Sequence, residues 1–493
     1  MNDLVTTISS LLSAVQSFIW GPPMIILLLG LGLLLTLKLR VLQIRKLSTA
    51  LKMACTPHDG DPTKQGDVTS FAALCTALAA TVGTANIAGV ATAVSIGGPG
   101  ALFWMFFAAF LGMATKYAEC MLAVRYREKD SSGNFIGGPM LYIRRGIGPR
   151  HSRTAKILAI MFSVSGILAA CFGIGTYTQI DSIVKSAVQL HCNPVHASVI
   201  VTILVAVITF GGIRTISTAS RFIVPAMALL YIMGCFIIVG YNISAVPDAI
   251  QLIISSAFHP AQAVGGFAGA TVLMAVQSGV ARGIFSNEAG LGSAPIAAAS
   301  AKTNSPVEQG LISMTATFID TMVICMLTGL TIVVTNAWTS EFTGVDMTTK
   351  AFQSVIGDTG GRLIVNVSLI LFAFTSIIGW NFYAERCVIY LFGTRAIRFY
   401  RPLYICIVAS YILVVIFVDV HNISGNTAIF AIWTMADIAN GLMAFPNLIA
   451  IFLLRKVIYE ETVRYFKMKK AKASGKDNMK RPPRMNANRG FTV

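Results

Sequence analysis

Phe71–Gly100 reads FAALCTALAATVGTANIAGVATAVSIGGPG. These thirty residues carry no charge, and a bilayer core is crossed by ~20 apolar residues. The middle, Thr81-Val82-Gly83-Thr84-Ala85-Asn86, is small and polar where a plain anchor would carry Leu and Val. An unpaired backbone group in hydrocarbon costs several kcal/mol. A membrane helix therefore gives up its own pairing at mid-depth only where something else satisfies the freed groups. In transporters that something is a bound substrate or ion. The alternative is a small-residue face for helix packing.

A second stretch has the same character. Arg282–Ser300 reads RGIFSNEAGLGSAPIAAAS, again small and polar within an apolar region, and it carries Glu288. Two interrupted spans at matching positions in two halves of a chain point to the binding site of a secondary transporter.

The totals agree. A mean hydropathy of +0.71 with only 12% charged residues excludes a soluble protein, and 493 residues suit ten or eleven spans with short loops. The net charge of +17 is carried by particular loops, so it is a topology signal and not a nucleic-acid footprint. The N-terminus, MNDLVTTISSLLSAVQSF, has no basic start and no small-residue cleavage site, which predicts a short amphipathic helix. Most of the nine cysteines lie inside apolar spans and none forms Cys-x-x-Cys, so neither a metal site nor a disulfide framework is indicated.

In chain order the pattern predicts eleven spans, at 20–37, 71–100, 101–124, 157–188, 198–212, 219–241, 264–300, 309–335, 362–391, 402–419 and 427–454. The second and seventh are discontinuous. The segment 336–361 is expected to fold back on the outer surface, and the tail from Arg455 to begin as an interfacial helix before becoming disordered. Of the 38 Lys and Arg residues, 32 fall in segments that an outside N-terminus and a cytoplasmic C-terminus place inside; two, Lys350 and Arg362, fall outside. That asymmetry fits the positive-inside rule.

Five blocks, GTANIAGVATA, GGPGALFWMFFAAFLGMATKYAEC, GIFSNEAGLGSAPIA, FTSIIGWNFYAERCVIYLFG and ADIANGLMAFPNLIA, occur in order from about residue 20 to 455. Together they resemble the alanine/glycine:cation symporter family of bacteria and archaea. The resemblance implies an all-α polytopic membrane protein of the leucine-transporter type: a five-plus-five inverted repeat preceded by one extra span. On that plan residues 1–65 hold the N-terminal helix, first span and a loop, 66–241 the first repeat, 242–454 the second, and 455–493 a basic cytoplasmic tail. It further implies sodium-driven import of alanine or glycine, with D-alanine or serine as further substrates, across the bacterial inner membrane. Sodium is the coupling ion, no other cofactor is expected, and the partners are the lipid bilayer and small solutes, not nucleic acid. Two positions depart from the family pattern: Ala85 stands where the first motif usually has a second Gly, and Asp181 where the fourth-span motif usually has Asn.

Broken helices present free N–H groups to a carboxylate at one end and free carbonyls to cations at the other. Gly83, Thr84, Ala85 and Gly290 are therefore expected to meet the substrate through their backbone, with Asn86 beside them; packing glycines are the alternative. The resemblance makes Gln179 a substrate ligand, where an interhelical hydrogen bond is the alternative, and makes Trp380 and Phe285 the cap that sets pocket size. It points to Ala79, Val82, Thr375 and Ser376 as a sodium site, Ser376 also facing the substrate, and to Thr81 and Asn86 as a second. Ser and Thr on helices also commonly bond their own i−4 carbonyl.

Embedded charges need partners, since one at mid-bilayer costs ~2.5–3.5 kcal/mol. Lys116 and Glu119, three apart, are expected to pair. Arg386 is expected to meet Glu385 or another helix, and Glu288 to serve gating or to bridge to Arg282. Asp437 and Asn440 are expected to pack helices. Asp181 and Glu288 leave open a proton-coupled transporter of the same fold. An intramembrane enzyme would want clustered His, Asp or Ser at mid-depth, yet the six His fall in loops or near span ends; a channel would want a repeated pore motif. The chain is not expected to be an enzyme.

Overall fold

The computed structural model describes residues 2–56, 64–262, 264–421 and 426–474. Asn2–Ile19 forms the expected N-terminal helix, and Pro22–Lys38 the first span, with prolines at its start where the missing N–H costs nothing. Among the described residues, eight stretches are long and apolar enough to cross a membrane. The two interrupted spans and the 17-residue Pro194–Phe210 bring the crossings to the eleven expected.

Two halves repeat one order of elements. Each opens on an interrupted span, Ser70–Thr81 with Ala88–Gly97 in the first half and Val272–Asn287 with Ala294–Ala299 in the second. Both open on a Thr cap: Thr69 accepts from Ala72 N at 3.1 Å, and Thr271 from Met274 N at 3.2 Å. A long span follows in each half, Gly100–Arg125 and then Pro306–Val334. Next comes a folded connection: an antiparallel hairpin pairing Glu128–Lys129 with Phe135–Ile136, and the helix Gly344–Ile356. Spans four to six close the first half and nine to eleven the second. Gly98, at φ +68°, makes the turn into span three that the Gly-Gly-Pro-Gly run predicts. The helix Gly344–Ile356 folds back over spans six and nine, and Thr348 donates to Ile87 O at 3.4 Å.

Three features differ from the sequence reading. Span four is not continuous: Ser152–Phe172 stops and Tyr177–Gln189 resumes. Packing is close at the interruption: a Cβ on Gly175 would stand 2.6 Å from Trp380 Cβ and 2.8 Å from Ala170 O. Span eight carries a π-helical stretch, Phe318–Cys325, a widened turn of the kind found at functional sites. Beyond Arg455 the last span continues without a break as one helix, Asn426–Ala473, whose extension is tied to the bundle. Glu461 pairs with Arg125, Thr462 meets Tyr117 at 2.6 Å, and Tyr465 donates to Glu308 at 3.0 Å. The expected disorder from 475 onward lies outside the described residues.

Candidate functional site

The first half of span two ends at Thr81, and a single 3₁₀ turn, Thr84–Asn86, carries the chain to Ala88. The amide that would have served Ala79, Gly83 N–H, donates instead to Asn86 Oδ1 at 2.9 Å. The carbonyl end of this half-helix is thus left with free acceptors. Thr84 Oγ1 is buried there without a partner.

Span nine passes directly against this break. A Cβ on Gly379 would stand 2.8 Å from Ala80 N, and a Cβ on Gly83 would stand 2.5 Å from Ser376 Oγ and 3.5 Å from Gln179 Oε1. The crossing is antiparallel, Gly379 at Ala80 and Ser376 at Gly83, which sets Thr375 and Ser376 beside the break. Gly83, Gln179 and Ser376 therefore meet at one point. Gln179 is 2% exposed; its Nε2 donates to Ile174 O at 2.9 Å, a carbonyl freed by the interruption of span four, while its Oε1 has no partner. Trp380 is fully buried one turn along, edge-on to Tyr383 at 5.6 Å, and its side chain faces the Glu288 carboxylate. Phe285 and Ala85 lie in the same apolar core as Trp380.

The predicted sodium ligands separate into two kinds. Thr375 and Ser376 both donate to Phe372 O, at 3.0 and 3.1 Å, and Thr81 to Ala77 O at 3.2 Å. This is the ordinary back-bonding of helical hydroxyls. It spends their protons and leaves their oxygen lone pairs free to accept. Ala79 and Val82 share an apolar cluster with Leu369 and Phe372, which holds their strand of backbone against span nine. Neutral oxygens at the carbonyl end of a broken helix suit a hard monovalent cation.

Several predicted roles are redrawn. Asn86 is committed within the protein: its Nδ2 donates to Asp320 Oδ1 at 2.8 Å, and its carbonyl accepts from Thr328 at 2.9 Å. Gly290, at φ +92°, faces Leu28 and Leu448, and its carbonyl accepts from Asn447 at 2.9 Å. Lys116 and Glu119 do not close an ion pair, since Glu119 turns to Asn447 Nδ2 at 2.6 Å. Glu288 does not bridge to Arg282: it accepts from Ser293, while Arg282 lies over the Phe285 ring at 5.8 Å. Arg386 pairs with Asp130 of the hairpin loop at 3.5 Å, and Glu385 with Arg401 at 3.0 Å. Asp437 accepts from Gln16 at 2.5 Å, as a helix-packing group should. Asp181 is compensated by Lys185 at 2.9 Å and Tyr411 at 2.9 Å, so it offers no free carboxylate.

Asp320 is the residue that sequence reasoning missed. It lies in the π-helical stretch of span eight, fully buried, and joins the two interrupted spans. One oxygen takes Asn86 of span two; the other takes Ser286 of span seven and Thr321, both at 2.7 Å. Its signal in the sequence is a lone acid in mid-span, which requires a partner.

The sodium:alanine symporter family model matches residues 5–480. An uncharacterized transporter of Haemophilus influenzae is 53% identical over 93% of this chain and 96% of its own length. The sodium/alanine symporter AgcS of Methanococcus maripaludis is 43% identical, covering 94% of this chain and 98% of its own. The amino-acid carrier protein AlsT of Bacillus subtilis is 34% identical over 94% and 93%. Among solved structures, the manganese transporter of Eremococcus coleocola aligns over 78% of this chain and 79% of its own at 14% identity and TM-score 0.47. The chain is a multi-pass membrane transporter, not an enzyme, and it belongs to the sodium:alanine symporter family.

Proposed function

We propose that this protein imports alanine or glycine together with sodium by alternating access. The observation that carries the reading is the meeting of Gly83, Gln179 and Ser376 at the break of span two, with Gln179 Oε1 and Thr84 Oγ1 both buried and unpartnered. An unpartnered acceptor beside free carbonyls suits an ammonium, and an unpartnered donor suits a carboxylate. A small zwitterion has both. Carbonyls from Ala79 to Val82 with the Thr375 and Ser376 oxygens hold the sodium ion. Asn86 contributes through Asp320, whose carboxylate lies beside it. The name of the AgcS relative, a sodium/alanine symporter, agrees with this substrate and ion. D-alanine and serine, close in size, are further substrates. The asymmetry of Lys and Arg sets the N-terminus outside and the C-terminus in the cytoplasm of a bacterial inner membrane.

The test is uptake of labelled alanine into proteoliposomes under an inward sodium gradient. Replacing external sodium with choline should abolish accumulation. Accumulation that persists without sodium and follows an imposed pH gradient refutes the reading.

A further inference from the structure

A cavity of about 290 Å³ lies at the far end of span nine from the break. Its walls include Asp130 and Asn134 of the hairpin loop, Arg214 between spans five and six, Glu385 and Arg386 of span nine, and Arg401 at the start of span ten. The Lys/Arg asymmetry places these segments on the cytoplasmic side. Arg386 follows Ser376 by ten residues on one helix, Asp358–Phe392, and so stands about 15 Å along it from the break.

Two ion pairs line this cavity, and they differ. Arg401 is closed on Glu385: its Nε and Nη2 donate to the two carboxylate oxygens at 3.0 and 3.1 Å. Arg386 and Asp130 form an open pair. Arg386 Nη1 stands 3.5 Å from Asp130 Oδ2, long for a charge-assisted bond of about 2.7–2.9 Å. Asp130 Oδ1 is spent on the Ser132 and Asn134 N–H groups, at 2.8 and 3.0 Å, which leaves Oδ2 to Arg386. The two side chains are only 3% and 5% exposed, and Arg386 Nε is buried without a partner. The Phe382 ring lies 5.0 Å from the guanidinium carbon, a contact that uses none of its N–H groups.

A buried charge is ordinarily paired and hydrogen-bonded. Here the whole N–H fork of Arg386 meets one distant carboxylate oxygen. Such a fork takes a carboxylate through two parallel bonds. A simple anion placed there would be repelled by Asp130 Oδ2, whereas an ammonium on the same molecule turns that repulsion into attraction. We propose that Arg386 and Asp130 form a second amino-acid site, cytoplasmic to the break, that holds a small zwitterion by its carboxylate on the Arg386 guanidinium and its ammonium on Asp130 Oδ2. The inference rests on the proposed function for its ligand, alanine or glycine on the way out of the central site.

The experiment measures saturation transfer from the purified full chain to the methyl protons of alanine, first in choline and then in sodium. The central site is tied to sodium, whereas Arg386 and Asp130 need none, so the wild type should give a signal in choline. Arg386→Gln should weaken that signal ~10-fold or more, the worth of hydrogen bonds to a charged group, and should keep the further signal that sodium adds. Propionate, which lacks the ammonium, and alaninamide, which lacks the carboxylate, should fail to displace alanine in choline where glycine succeeds. No signal from the wild type in choline overturns the inference, and so does an undiminished signal from monodisperse Arg386→Gln. Should that variant not be recovered, the wild type alone decides: displacement by propionate or inorganic phosphate as effective as by glycine shows a simple anion site and overturns the inference. A choline signal to which sodium adds nothing refutes the proposed function and still supports this site, while sodium-dependent binding alone does the reverse.

Discussion

A side-chain carbon on Gly83 would stand 2.5 Å from Ser376 Oγ but 3.6 Å from Ser376 Cβ. The obstruction is thus one hydroxyl. The backbone of Gly83 is extended, at φ −141°, where any residue is at ease, so space and not strain requires glycine. Gly83→Ala should abolish alanine binding and lower thermal stability, overpacking costing about 1–3 kcal/mol. Gly83→Ala with Ser376→Ala should regain most of the stability without regaining sodium affinity. A single variant with wild-type binding and melting temperature would show that span nine does not close on the break.

Thr375 and Ser376 give their protons to Phe372 O and keep lone pairs for a cation. Removing either should raise the sodium concentration for half-maximal uptake by ~10-fold, about 1.4 kcal/mol, with a much smaller change in alanine affinity at saturating sodium. Coupling is reciprocal, so alanine should raise sodium affinity by the factor by which sodium raises alanine affinity. Sodium titrations of binding, with and without alanine, check both statements. Unaltered sodium dependence in both variants would leave the pair as ordinary helix packing.

Gln179 keeps one amide bond to Ile174 and one unused acceptor. Gln179→Ala should weaken alanine binding by ~10- to 100-fold, the worth of about 1.5–3 kcal/mol for a hydrogen bond to a charged group. The protein should remain extractable and monodisperse. Wild-type affinity would return Gln179 to an interhelical role.

Trp380, Phe285 and Ala85 lie in one buried apolar core, and the proposed function makes them the walls of a methyl-sized pocket. Alanine and glycine should compete for uptake at least ~10-fold better than leucine or phenylalanine, because a wrongly sized group costs about 1–3 kcal/mol. Trp380→Ala should narrow that gap, measured as inhibition constants in the same assay. Equal competition by leucine in the wild type contradicts a methyl-sized pocket.

Asp320 ties Asn86 to Ser286. Asp320→Ala removes the carboxylate that accepts from Asn86, Ser286 and Thr321, each such buried loss being worth about 1–3 kcal/mol, and should cost both folding stability and transport. Asp320→Asn keeps an acceptor but removes the charge beside Asn86, at the break proposed to hold sodium. It should melt close to the wild type and need more sodium for half-maximal binding. Sodium binding unchanged by Asp320→Asn would confine the carboxylate to a structural role.

Hydropathy, the two small-polar interruptions and the Lys/Arg asymmetry are properties of short segments, so they are legible in the chain itself. From them follow the number of crossings, the positions of both breaks and the return of Gly344–Ile356 onto the bundle. Gln179 and Ser376 were singled out through family resemblance, since neither residue type is unusual within a span, and the packed bundle brings both to Gly83. What the tertiary structure decided is partnership. Glu119 sits one helical turn from Lys116 in the sequence, yet it turns to Asn447 of span eleven. Glu288 meets Ser293 and not Arg282, Gly290 packs on Leu28 and Leu448, and span four breaks where Trp380 presses on Gly175. Asp320 gains its meaning only because two distant interruptions converge on it. Local pattern dictates which groups cannot be left alone in hydrocarbon; only the packed bundle, by bringing remote faces within about 3 Å, chooses which group answers each of them.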